Sequence, residues 1–98
     1  MHINNAAIRQ ITHNGQPYYN LTDICNALDL YPTESLAYLQ AKPQTRPLIK
    51  KCSAWISYSQ LLRWMLAPDP AKIMSPAAIQ FANSLLDQHI KKTATNGG

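Results

Sequence analysis

Apolar residues punctuate the chain at two spacings. Near the N-terminus Ile3, Ile8 and Ile11 sit in a polar, strand-like setting, with Ile8 and Ile11 on opposite faces. Asn14-Gly15 follows, a pair that readily takes positive φ at both central positions of a tight turn. Tyr18 and Tyr19 then supply a second short strand, so a β-hairpin is expected over residues 6–19. From Thr22 the spacing changes. Thr22 is positioned to cap a helix, Asp23 suits its positive end, and Ile24, Cys25, Ala27 and Leu28 form one face. Asp29 ends this helix and Pro32 marks the break. Thr33 can cap a second helix, near 33–41, carrying Glu34, Leu36, Tyr38 and Leu39 and closed by Pro43. Two short helices with a tight connection resemble a helix-turn-helix in outline.

Residues 43–47 read as loop. Leu48, Ile49 and Cys52 suit a third strand, and Ala54-Trp55-Ile56 either extends it or forms a fourth. Ser57 and Gln60 stand at capping-box spacing. Behind them Leu61, Leu62, Trp64, Met65 and Leu66 make a helix apolar on most sides, the pattern of a buried segment, with Trp64 and Leu61 in the core. Its one charge, Arg63, reads as a packing residue. A proline-rich connection (residues 67–74) leads to Ser75-Pro76, a strong helix start. Ala78, Phe81, Ala82, Leu85, Leu86 and Ile90 give the last helix its apolar face, and Asp87 with Lys91 forms an i,i+4 pair. The expectation is a small single α+β domain over residues 1–92, with an N-terminal β-hairpin, short helices and a longer C-terminal helix. Residues 93–98 read as a flexible, polar tail.

Composition narrows the function. With 98 residues, 46% of them hydrophobic and 14% charged, the chain has a globular composition and room for one domain. The net charge is +4. Lys42, Arg46, Lys50 and Lys51 fall within ten residues that contain no acid, so they are the candidate nucleic-acid-binding residues. The competing reading is a solvated loop and strand edge that uses lysine against aggregation. Gln40, Gln44 and Thr45 stand nearby as candidate readers of base edges. Cys25 and Cys52 read as reduced thiols. The three histidines do not cluster at ligand spacing and Cys-x-x-Cys is absent, so neither a metal nor another cofactor is expected. The five acids show no paired arrangement, which argues against an enzyme. Ser57 and Ser75 read as helix caps, and the tyrosines as residues of the core margin. No apolar run reaches the length of a membrane span and no signal-peptide layout opens the chain, which points to a cytoplasmic protein without a membrane partner.

Three stretches in order carry a family resemblance. Ile8-Arg9, Asn14 to Tyr19 and Leu21 to Leu28 resemble the BRO-N pattern of strand, turn, aromatic pair and an Asp-[Val/Ile]-x-x-x-Leu helix. Leu21-Thr22-Asp23-Ile24 is equally similar to KilA-N. Trp55-Ile56-Ser57 with Leu61 to Trp64 resembles the second block, and Ala78, Phe81-Ala82, Leu85 and Ile90-Lys91 the final helix. The chain departs from the pattern at Asp29, where the family often has glycine, and in a thin aromatic strand before the second block. Aspartate tolerates left-handed geometry better than most residues, so the turn can survive. The resemblance implies a compact α+β domain of phage and viral regulators and antirepressors, with double-stranded DNA as the usual partner. The rival expectation is a protein-binding inhibitor or antirepressor that blocks a host repressor or defence complex.

Overall fold

The computed structural model describes residues 1–69, 72 and 74–97, with side chains described through residue 88. It is a small α+β domain. Strands β1 (His2–Ile3) and β2 (Ala6–Ala7) pair as a two-stranded sheet. Strands β3 (Gln10–His13), β4 (Gln16–Asn20), β5 (Leu48–Lys50) and β6 (Ser53–Ser57) form an antiparallel sheet in the order β3-β4-β6-β5. The helices are α1 (Leu21–Ala27), α2 (Pro32–Gln40), α3 (Tyr58–Leu66) and α4 (Pro76–Gly97).

Three two-residue turns organise the strands. Asn4-Asn5, Asn14-Gly15 and Lys51-Cys52 each place both residues at positive φ, between 51° and 76°. Mirror-image turns of this kind match the right-handed twist of the strands they join. The turn expected at Asn14-Gly15 is therefore present, but its hairpin runs over β3 and β4 rather than from residue 6. The single strand-like stretch expected from Ile3 to Ile11 is broken by the Asn4-Asn5 turn into β1, β2 and β3. Cys52, assigned from sequence to a third strand, lies in the turn, and Ala54-Trp55-Ile56 belongs to a separate fourth strand of the larger sheet.

Helix α1 begins one residue earlier than its apolar spacing suggests. Its cap is Asn20, 1% exposed, whose side-chain oxygen accepts the Asp23 N–H at 3.0 Å. Thr22 is exposed in the first turn, so the capping role expected of it is overturned. At the other end Asp29 adopts φ 55°, and the Leu30 N–H donates to the Cys25 carbonyl at 2.9 Å. This closes the helix in a Schellman arrangement with aspartate at the left-handed position. The break expected between the two helices is present at residues 28–31, and Pro32 opens α2 as its first residue, with Tyr31 at the N-cap and no side-chain cap. Thr33 is therefore inside the helix and not its cap. Proline fits there because its fixed φ is helical and its missing N–H would have no partner.

The Ser57–Gln60 capping box is formed in both directions, and the Ser75 hydroxyl accepts the Ala78 N–H at 3.0 Å. The core gathers Ile3, Ile8, Leu21, Ile24, Cys25, Leu28, Leu39, Ile56, Leu61 and Trp64, together with Ala78 and Leu85 from α4. Trp64 is 2% exposed. Trp55 lies on the opposite face of β6 from Ile56 and is also buried, its indole N–H donating to the Lys50 carbonyl at 2.9 Å. On α4, Leu86 is exposed rather than part of the apolar face, and Ile79 shares that exposure one heptad earlier. The side chains of Ile90 and of Lys91, the expected partner of Asp87, lie outside the described residues, as do those of the tail expected at residues 93–98.

Candidate nucleic-acid interface

The segment between α2 and β5 carries Lys42 and Arg46, and two side-chain hydrogen bonds hold it in place. Residues Pro43–Thr45 form a short 3-10 turn rather than open loop, with Lys42 at its N-cap. Thr45 is buried and its hydroxyl donates to the Leu39 carbonyl at 2.9 Å. That removes Thr45 from the candidate readers of base edges, while Gln40 and Gln44 remain exposed. The Gln60 side chain completes the capping box through its oxygen and uses its amide to donate to the Arg46 carbonyl at 2.9 Å. One side chain thus ties the basic segment to the start of α3.

Lys42, Arg46, Lys50 and Lys51 are all exposed. Lys42 is the most committed of them. Its ammonium lies 3.1 Å from Asp69 and 5.9 Å from the centre of the Tyr38 ring. The Tyr38 hydroxyl donates to the same carboxylate, and burial followed by that acidic neighbour pushes its pKa up to about 12. Lys50 and Lys51 sit at the β5–β6 turn, away from the 3-10 turn. At strand rise, four residues separate Arg46 from Lys50 by roughly 13 Å. The structure therefore divides the cluster into two parts, Lys42 and Arg46 beside α3, and Lys50 and Lys51 at the hairpin end. Lys51 is held at φ 53°. Such a conformation costs an L-residue other than Asn, Asp or Gly about 1–2 kcal/mol.

Sequence reasoning missed Arg63. Helix α3 buries Leu61, Trp64 and Met65, which turns Arg63 outward. It is exposed and lines a groove of about 410 Å³ with Lys42, Gln44, Leu62 and Leu66, so its expected packing role does not hold. The signal was present in the helical spacing: residues one turn from Ser59 and Leu66 share the unburied face.

The other described cations are committed elsewhere. The Arg9 guanidinium grips Asp23 through Nε at 2.9 Å and Nη2 at 3.1 Å, and reaches Asn20 at 3.3 Å. The hydrogen bonds from Arg9 hold the Asp23 carboxyl below its usual range, while Asp23 raises Arg9. Lys72 donates to the carbonyls of Trp64, Met65 and Ala67 at 2.6–3.0 Å, closing the C-terminal end of α3. Burial pushes its ammonium pKa down. Among the described residues no group of three or more His, Cys, Asp and Glu could hold a metal ion, and no helix is long and apolar enough to cross a membrane. Comparison of the chain with family models, curated proteins and solved structures finds no match.

Proposed function

We propose that the chain is a regulatory DNA-binding domain of phage or mobile-element origin, of the KilA-N/BRO-N kind. Lys42, Arg46, Lys50 and Lys51, joined by Arg63, contact duplex phosphates in this reading. The observation that carries it is Lys51: a lysine occupies a left-handed turn position at an exposed hairpin end, where Asn or Gly would be cheaper. Strain retained at an exposed cation favours a role for the side chain itself. Among the described residues, the exposed cations around it make no ion pair apart from that of Lys42, so they are available to displace counterions from a phosphate backbone. The ordered resemblance in the sequence adds the regulatory context.

Electrophoretic mobility of a duplex with wild type and with the quadruple variant Lys42→Ala, Arg46→Ala, Lys50→Ala, Lys51→Ala tests the proposal. The variant should keep its circular dichroism spectrum and retard the duplex much more weakly than wild type. Wild type that fails to retard duplex even at low salt would refute the reading. The rival, an inhibitor that docks on a host repressor or defence protein, would then take its place.

A further inference from the structure

Two carboxylates stand apart from the rest. Asp23 is bound by Arg9 and Asp69 by Lys42, but Asp29 and Glu34 have no ion-pair partner among the described residues. Both line the same cavity, of about 210 Å³, which opens between the α1–α2 connection and α3. Tyr31, Tyr38, Trp64, Leu30 and Met74 supply aromatic and apolar walls, with Ser35 and Ser75 between them. Tyr31 is 72% exposed at the rim.

We propose that this cavity receives an alkylammonium group, the head and stem of a lysine side chain presented by a partner polypeptide. Two carboxylates supply charge for one ammonium. The exposed Tyr31 ring at the rim is available to attract the same cation, and the apolar walls accept the methylene stem. A divalent metal fits poorly, because calcium and magnesium require about six oxygen ligands and this lining is largely carbon. The volume suits one side chain and not a folded element. Each acid also has a local role, Asp29 in the left-handed closure of α1 and Glu34 in the first turn of α2, yet neither role calls for the exposed Tyr31 beside them. The site lies across the Tyr38–Trp64 wall from the basic groove and has the opposite charge, so the proposal does not depend on DNA binding.

Amide chemical shifts of the isotope-labelled protein, recorded without DNA, test it. The probes are a capped Gly-Lys-Gly peptide, the same peptide with norleucine for lysine, and n-butylammonium chloride. The lysine peptide should give saturable shifts confined to residues 29–38 and the facing part of α3, and norleucine should give none. Asp29→Asn with Glu34→Gln keeps both backbone preferences and should weaken the lysine peptide at least tenfold. Tyr31→Ala, at an exposed site, should weaken it with the fold unchanged. A lysine peptide that binds more tightly than n-butylammonium assigns the ligand to a polypeptide. Equal binding keeps the ammonium site but assigns it to free amines. Equal shifts from norleucine, or undiminished affinity in the double variant, would overturn the proposal.

Discussion

Replacing Asn20 by alanine isolates the contact that joins the sheet to the first helix. Asn20 is almost wholly buried, and its side-chain oxygen accepts the Asp23 N–H at 3.0 Å and the Arg9 Nη2 at 3.3 Å. Loss of an N-cap of this type costs about 1 kcal/mol, and the stranded, partly buried N–H raises the total to about 2 kcal/mol. The Arg9 contact adds little, because that guanidinium is largely solvated. For a domain near 100 residues, such a loss lowers Tm by about 8–16 °C. In urea the midpoint should fall by about 1–2 M. Asn20→Ser, which restores a short acceptor, should recover most of the loss. Thr22→Ala removes an exposed hydroxyl that caps nothing and should stay within about 0.5 kcal/mol of wild type. Urea melts of the three variants, followed by circular dichroism, decide the matter. A larger loss for Thr22→Ala than for Asn20→Ala would refute the assignment of the cap.

Trp64→Ala should cost about 3–5 kcal/mol, since the indole is buried between α3 and the core; a variant that melts like wild type would place the residue elsewhere. Native alkylation should modify Cys52 alone and full unfolding should expose two thiols, because Cys52 is exposed while Cys25 is buried and burial pushes its thiol pKa up; rapid native labelling of both would contradict the packing of Cys25. The stability that Asp23 draws from Arg9 should be fully present above the ordinary aspartate value, 3.8, and should fade as pH falls through its lower folded value. Asp23→Asn should therefore narrow its gap to wild type only in strong acid, and a gap that closes near neutral pH would exclude this linkage.

Signals carried by one short stretch were the legible ones. Asn14-Gly15, Ser57 with Gln60, and Ser75-Pro76 each fix their backbone with neighbouring residues, and the structure contains all three. The helical spacing of Leu61, Trp64 and Met65 likewise marked a buried face. Features decided by tertiary context were not legible. Lys51-Cys52 has no intrinsic preference for a left-handed turn and adopts one because β5 and β6 are paired on either side. Asn20 ends a strand, and becomes a cap only because the chain turns directly from β4 into α1. Of the candidate interface, the four cations of residues 42–51 were visible as a charge cluster. Their separation into two groups and the arrival of Arg63 beside Lys42 depend on how the 3-10 turn packs against α3.

A salt titration of duplex affinity, for wild type, the quadruple alanine variant and Arg63→Ala, tests the central proposal most directly. Counterion release gives a linear fall of log affinity with log salt, and removing one cation from the phosphate backbone should flatten the slope by about 0.9. Arg63→Ala should flatten it by about one such step, and the quadruple variant by about three to four, because Lys42 already shares its charge with Asp69. Wild type that shows no affinity for duplex at low salt, or slopes unchanged by these substitutions, would contradict the account.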